Sequence, residues 1–191
     1  MSELRLPLTE KVVRKLKVGD TVFLSGTIIT ARDLAHKHLM HKDIPGLSPM
    51  LKSAVIYHCG PIVRKLETEY KFLAAGPTTS MREEPYMATL IKKYQLRGII
   101  GKGGMGEDTL KALSQEGCVY FQAIGGTAAL IASCVARVVK VFMLEEFGVP
   151  EALWVIEVER LPLLVTMDTH KQSIHQTILE QSRQKRAGLL A

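Results

Sequence analysis

Residues 97–124 read R-G-I-I-G-K-G-G-M-G-E-D-T-L-K-A-L-S-Q-E-G-C-V-Y-F-Q-A-I, and this stretch decides the fold class. A short β-branched run at 97–100 opens into a glycine-rich turn at 101–106. An amphipathic helix pattern follows over 107–116, and a second β-branched and aromatic run covers 119–124. A strand, a helix and a second strand in this order form a β-α-β unit. The stretch therefore predicts an α/β domain with a largely parallel or mixed sheet.

The same alternation extends to both sides of this unit. Strands are predicted over 21–28, 53–59, 71–75, 153–158 and 163–167, and an apolar helix over 127–147. Thr30 is predicted to be the N-cap of a helix that ends near His41. Pro85 places the start of another helix near Glu84, which leaves an exposed loop at 78–82. Because no repeat or linker interrupts the pattern, residues 1–191 are predicted to form one domain with a basic tail at 171–191.

The composition excludes several classes of protein. The chain has 191 residues, of which 47% are hydrophobic and 23% charged, so it can bury a core and is neither collagen-like nor disordered. Its formal charge of +6 is compatible with nucleic acid, an anionic membrane surface or small acidic substrates. The three cysteines, Cys59, Cys118 and Cys134, have no C-x-x-C spacing. We expect a soluble cytoplasmic protein with no metal site in this chain.

The glycine-rich turn at 101–106 matches G-x-G-x-x-G, the pattern of dinucleotide-binding loops. The acidic residue that holds a ribose about 20 residues further on is missing, however, because no Asp or Glu lies between Glu116 and Glu145. The sequence also does not fit a phosphate-binding P-loop, since Lys102 is not followed by Ser or Thr. Two interpretations remain: a tight strand-to-helix turn, or an anion site formed by backbone N–H groups and Lys102 at the helix N-terminus.

Two further segments place cations after predicted strands. In G-P-T-T-S-M-R (76–82), Arg82 offers a planar fork for a carboxylate or phosphate, although Thr79 or Ser80 could simply cap the next helix. In A-R-D-L-A-H-K (31–37), Arg32 and His36 share one helix face. The alternative is that both are solvated while the intervening aspartate caps the helix.

Three cations, Arg32, Arg82 and Lys102, would converge if these strands are neighbours in the sheet. Such a cluster suits a small dianion whose two carboxylates are held separately.

Taken together, four ordered motifs resemble the class I, iron–sulfur fumarate hydratases, and specifically their C-terminal domain or separate β subunit. The motifs are A-R-D-L-A-H-K (31–37), Y-H-C-G-P (57–61), G-P-T-T-S-M-R (76–82) and G-K-G-G-M-G (101–106). The tartrate dehydratase β subunit is similar in the same motifs. The resemblance covers nearly the whole chain and implies a three-layer swivelling β/β/α domain with a mixed sheet.

The resemblance also implies a division of labour between two chains. An α subunit would carry a [4Fe–4S] cluster, and this chain would complete a site for reversible hydration of fumarate to L-malate. Matching positions imply that Arg32, Arg82 and Lys102 bind substrate carboxylates and that the Thr78 hydroxyl serves proton transfer. The remaining implied positions, expected just behind the substrate, are His36, Gly76 and Thr79.

Two rival functions remain open at this point. L-tartrate dehydration to oxaloacetate would use the same motifs, so the sequence does not separate the two substrates. A basic module that binds nucleic acid or other anions belongs to another class. It is disfavoured because aromatic residues make up only 6% of the chain and no known nucleic-acid-binding pattern occurs. We therefore expect neither nucleic acid nor a membrane as a partner.

Overall fold

The computed structural model describes residues 2–190. Within this range, nine strands run in chain order: β1 (Ser2–Arg5), β2 (Thr21–Ala31), β3 (Val55–His58), β4 (Ile62–Lys65), β5 (Tyr70–Ala74), β6 (Gly98–Gly101), β7 (Val119–Gln122), β8 (Val135–Phe142) and β9 (Leu153–Met167). The same described residues contain eight α-helices: α1 (Glu10–Val13), α2 (Asp33–His41), α3 (Ser48–Leu51), α4 (Glu84–Tyr94), α5 (Glu107–Glu116), α6 (Ala128–Ser133), α7 (Leu144–Phe147) and α8 (Ile174–Leu190). A 3-10 turn, Ser80–Glu83, leads directly into α4. The predicted α/β class with a mixed sheet is confirmed.

Seven strands form one mixed sheet in the order β1-β2-β3-β6-β7-β9-β8. Strands β1, β2, β3, β6 and β7 pair in parallel with one another, whereas β9 is antiparallel to β2, β7 and β8. Because β9 pairs with both β2 and β7, the pairings run β2-β3-β6-β7-β9 and back to β2. The strands therefore close into a ring, which removes the open edges of these five strands.

The core lies on both faces of these strands, as the twofold periodicity of a strand requires. In β3, Val55 and Tyr57 belong to one buried cluster, whereas Ile56 belongs to the other. The cluster around Ile56 is completed by residues of α2, α4 and α5, which cover that face of the sheet. The opposite cluster includes Trp154, a fully buried residue of β9. The helices and the ring are thus held together through residues that alternate along each strand.

The single helix predicted over 127–147 is wrong. The structure has the short helix α6, the strand β8 and the short helix α7 in its place. Strand β8 reads V-A-R-V-V-K-V-F, and its four valines are stiff at χ1 and favour a pleated, half-buried surface over a helix. Its pairing with β9, for example Val138 opposite Ile156, decides between the two conformations.

Two other predictions need correction, and a third is confirmed as a strand but not as part of the main sheet. Thr30 is not a helix N-cap: β2 continues through Ala31, Arg32 occupies the cap position, and the buried Thr30 hydroxyl accepts a hydrogen bond from the Trp154 backbone N–H at 3.1 Å. The two predicted final strands are one strand, β9. The strand predicted at 71–75 is β5, which lies outside the main sheet and pairs only with β4.

The predicted basic tail at 171–191 contains α8, whose residues 183–189 are exposed. None of the helices among residues 2–190 is long and apolar enough to cross a bilayer.

Candidate active site

Three neighbouring parallel strands end at the same edge of the sheet. Strand β2 ends at Ala31, β3 at His58 and β6 at Gly101, with β3 paired between the other two. Arg32 and Lys102 follow directly after β2 and β6. Both residues therefore lie beyond the carboxyl ends of strands at one edge of the sheet, with β3 between their strands.

The loop after β5 reaches the same edge by a different route. Pro77 forms an isolated β-bridge with Cys59, just after β3, and Thr79 forms another with Lys102, just after β6. The Thr78 N–H donates to the carbonyl oxygen of His58 at 2.7 Å, and the Lys102 N–H donates to that of Thr78 at 3.3 Å. The loop thus continues the sheet between the ends of β3 and β6, and it places the Thr78 backbone against Lys102.

Arg82 lies on the 3-10 turn that ends this loop. Its guanidinium forms a salt bridge with Asp33, the first residue of α2, and 56% of its side chain remains exposed. The predicted exposed loop at 78–82 is only partly correct, because Ser80 is fully buried on this turn. Thr79 occupies the cap position of the turn, but its side chain makes no capping hydrogen bond.

Arg32 lies across Gly60, in the Y-H-C-G-P segment. A Cβ atom at Gly60 would come within 2.6 Å of the Arg32 side chain, so a glycine is needed for this approach. Nε of Arg32 lies 3.5 Å from a carboxylate oxygen of Glu151, whose other oxygen accepts a hydrogen bond from the Leu34 N–H at 2.9 Å. The carboxylate that accepts a hydrogen bond from a backbone N–H in the first turn of α2 is therefore that of Glu151 and not that of Asp33.

The glycine-rich turn does not provide the predicted anion site at the N-terminus of α5. That position is taken by Glu84, whose carboxylate accepts hydrogen bonds from the backbone N–H of Gly106 at 2.8 Å and of Thr109 at 3.1 Å. The negative charge satisfies the helix dipole and the free N–H groups from within the chain. Lys102 is the second residue of this turn and has no salt-bridge partner among the described residues.

A buried chain of polar side chains lies behind these residues. Nδ1 of His58 is 2.8 Å from the Ser80 hydroxyl, which is 2.8 Å from the hydroxyl of Tyr120 on β7. The ring of His36 stands edge-on to the ring of His58, with centroids 4.9 Å apart. A Cβ at Gly101 would fall 1.9 Å from the Ser80 hydroxyl oxygen. The close approach of Ser80 thus explains why residue 101 is a glycine, and this reason is independent of dinucleotide binding.

Glu83 extends the buried chain toward α2. One of its carboxyl oxygens lies 3.5 Å from Nδ1 of His36, and both side chains are fully buried. Nδ1 of His36 donates to the carbonyl oxygen of Arg32 at 2.7 Å, which fixes the proton of the neutral ring on that nitrogen. Residues from all four sequence motifs therefore meet in one buried junction.

Burial determines the charge state of this junction. It lowers the pKa of His36 to about 4 and also lowers the pKa of His58, because neither ring can be solvated as a cation. It raises the pKa of Glu83 to about 9, with Asp33 adding to the effect. Burial likewise raises the pKa of the Tyr120 hydroxyl. The junction is therefore neutral at pH 7.

The remaining positions implied by the resemblance differ in their surroundings. His36 is fully buried in the junction, and Thr79 is exposed with its backbone beside Lys102. Gly76 packs against α6, where a Cβ atom would lie 3.1 Å from that of Ala128. The roles of Glu83 and Tyr120 were not predicted. The available signal in the sequence was the acidic pair Glu83-Glu84 directly before Pro85, because acidic residues are favoured in the first turn of a helix.

The three cysteines differ in their surroundings. Cys59 and Cys118 are buried in different core clusters, Cys134 is half-buried, and no group of three metal-binding side chains occurs within residues 2–190. Burial raises the pKa of both core thiols, which disfavours the thiolate form that ligates iron.

Comparison with known proteins connects this geometry to a family. The family model described as "Fumarase C-terminus" matches residues 2–178. The chain belongs to this fumarase C-terminus family. The match includes all four motifs that meet at the sheet edge.

Relatives within the fumarase C-terminus family carry two kinds of name. A putative class I fumarate hydratase of Geobacillus stearothermophilus is 48% identical over 95% of this chain, which spans 35% of that relative's length. A putative L(+)-tartrate dehydratase subunit beta of Methanocaldococcus jannaschii is 45% identical over 90% of the chain and 89% of the relative. The L(+)-tartrate dehydratase subunit beta of Escherichia coli is 36% identical over 90% of the chain and 85% of the relative.

Proposed function

We propose that this chain is the β subunit of a [4Fe–4S]-dependent hydro-lyase that interconverts fumarate and L-malate in the cytoplasm. The observation that carries the proposal is the meeting of Arg32, Thr78, Arg82 and Lys102 at one edge of the sheet. The name of the Geobacillus stearothermophilus relative supplies the reaction, and the names of the tartrate dehydratase relatives supply the division into subunits.

The three cations match a four-carbon dicarboxylate. Arg82 faces Asp33 with one terminal nitrogen, so the other donors of its fork can receive a substrate carboxylate. Lys102 is the cation without an acidic partner in the described part of the chain and would complete the binding of that carboxylate or of the second one. Arg32, held between Gly60 and Glu151, would bind from the β2 side of the edge.

The same cations would act during the reaction. Removal of a proton from the carbon next to a carboxylate delocalises negative charge onto that carboxylate. Guanidinium and ammonium groups that are already in position stabilise this charge as it forms, without reorganisation. Thr78 would hold or accept the transferred proton at its hydroxyl, since its backbone is fixed between His58 and Lys102.

The described residues do not fit the cluster itself. Cys59 and Cys118 are buried in different core clusters and Cys134 is half-buried, so we assign the [4Fe–4S] cluster to an α subunit. Docking of that subunit over the sheet edge would exclude water from Arg32, Arg82 and Lys102 and strengthen their interaction with the substrate.

The tartrate dehydratase names support a second candidate, dehydration of L-tartrate by the same site. Anaerobic co-expression with the matching α subunit and comparison of kcat/KM for fumarate, L-malate and L-tartrate decides between the two. A preference for fumarate and L-malate supports the first proposal, and a preference for L-tartrate supports the second. Stoichiometric cluster binding and turnover by this chain alone would contradict the assignment as a β subunit.

A further inference from the structure

Glu83 carries the most deeply buried carboxyl group near the candidate site. Its side chain has no solvent exposure, and neither carboxyl oxygen has a hydrogen-bond partner among the described residues. The nearest basic group is Nδ1 of His36 at 3.5 Å. That nitrogen already donates to the Arg32 carbonyl oxygen, and the ring is neutral at pH 7. A carboxylate in this position would be desolvated without compensation.

Three charged side chains act on this carboxyl group: Asp33 at the start of α2, Glu151 just before β9, and Arg82, the neighbouring residue on the 3-10 turn. A fourth, Arg32, directly precedes α2 and is paired with Glu151. The two arginines are paired with the two acids, Arg82 with Asp33 and Arg32 with Glu151. These four charges cancel, so the net charge of the cluster depends on whether Glu83 is ionised.

We propose that Glu83 is a specificity-determining residue whose carboxyl group stays neutral behind Arg32 and Arg82, so that the sheet edge accepts a dianion. When Glu83 is neutral, the charge of Lys102 gives the edge a net charge of one positive unit. When Glu83 is ionised, the net charge of the edge is zero. The inference rests on the proposed function in that it takes a dicarboxylate as the ligand. It adds a reason why the sheet edge attracts a dicarboxylate even though both arginines are paired with acids.

This arrangement makes dianion binding sensitive to alkaline pH. Burial, reinforced by Asp33 and Glu151 and opposed by Arg82, raises the pKa of Glu83 to about 9. If only the neutral form admits the dianion, the dissociation constant rises about tenfold for each pH unit above that value. Below it, affinity is independent of the Glu83 proton.

The test uses the complex of this chain with its α subunit and succinate, a four-carbon dianion that is neither hydrated nor dehydrated. Calorimetric Kd values are measured between pH 6 and pH 10 for the wild type, Glu83→Gln and Glu180→Gln. Glu180 lies exposed on α8 and provides the matched control. We expect Kd to rise about tenfold near pH 10 in the wild type and the control, and to rise much less in Glu83→Gln. An equal alkaline rise in all three proteins, or none in the wild type, overturns the inference.

A second measurement needs no variant. In a complex whose β chain alone carries ¹³C-labelled glutamate, the Glu83 carboxyl resonance should have the shift of a protonated acid at pH 7 and titrate near pH 9. A carboxylate shift at pH 7 overturns the inference even if Glu83→Gln fails to fold. Both measurements are independent of turnover, so an inactive complex would contradict the proposed reaction without deciding the role of Glu83.

Discussion

The hydroxyl oxygen of Ser80 lies 2.8 Å from Nδ1 of His58, and this contact joins the loop that carries Thr78 and Arg82 to the end of strand β3. The Ser80 backbone N–H also donates to the carbonyl oxygen of Lys102 at 3.0 Å. One buried serine therefore sets the relative positions of three of the proposed site residues.

Ser80→Ala should weaken both the fold and catalysis. Loss of the hydroxyl leaves His58 and Tyr120 without their shared partner, which costs about 1–3 kcal/mol of unfolding free energy. Because the loop also loses its anchor, kcat of the complex should fall at least about tenfold. Chemical denaturation and steady-state kinetics measure the two effects. Ser133→Ala, at an exposed position on α6, is the control, and equal kcat values in the two variants would contradict the positioning role.

Gly101→Ala should disrupt the same junction by steric means. The new Cβ would lie 1.9 Å from the Ser80 hydroxyl oxygen and 3.0 Å from the Tyr120 hydroxyl, so Ser80 must move. We expect a loss of about 1–3 kcal/mol in unfolding free energy, as for overpacked cores, together with reduced activity. Gly125→Ala adds a Cβ with nothing within 4 Å and should leave the unfolding free energy nearly unchanged. A Gly101→Ala protein as stable and active as this control would show that the close approach does not matter.

Arg82→Ala and Lys102→Ala test the proposed carboxylate contacts. Each should lower kcat/KM of the complex by roughly 10²–10³-fold, since each removes a charged donor from the developing negative charge. The melting temperature should change little, because Arg82 is largely exposed and Lys102 has no acidic partner in residues 2–190. Lys185→Ala on the exposed face of α8 serves as the control. Unchanged kcat/KM in either variant would remove that residue from the site.

Acid should destabilise the fold through His36. Its pKa is lowered from 6.5 to about 4 in the folded chain, so the unfolded state binds more protons between these values. The associated stability is present above pH 6.5 and is lost as the pH falls toward 4. The loss is on the order of 3 kcal/mol, and denaturant titrations at pH 7 and pH 4.5 measure it. His36→Gln should show a flatter dependence, and an identical slope in both proteins would contradict the assignment.

Glu84→Gln should loosen the glycine-rich turn. The carboxylate accepts three hydrogen bonds at the start of α5, from Gly106 and from both donors of Thr109. An uncharged amide keeps the size of the side chain but weakens the interaction with the helix dipole, at a cost of about 0.5–2 kcal/mol. Hydrogen exchange of the α5 amides should become faster. Glu180→Gln gives the baseline, and exchange rates as slow as in that control would contradict the capping role.

Local patterns were sufficient where neighbouring residues decide the conformation. Strand β6, the glycine turn and helix α5 were predicted because glycine tolerates φ values of +82° at Gly103 and +74° at Gly104, and because the helix pattern ends at Gly117. The prediction failed over 127–147, where an apolar run fits a buried helix and a strand equally well. There the partner strand β9 decided the outcome.

The sequence by itself determined the α/β class, the family motifs and the three cations that follow strands, because side-chain periodicity and turn chemistry are local properties. Only the tertiary structure decided that the loop carrying Thr78 enters between β3 and β6, and that Glu84 occupies the start of α5. The neutral junction of His36, His58 and Glu83 also belongs to the tertiary structure. Burial fixes the charge of these groups, and it depends on contacts between residues far apart in the chain.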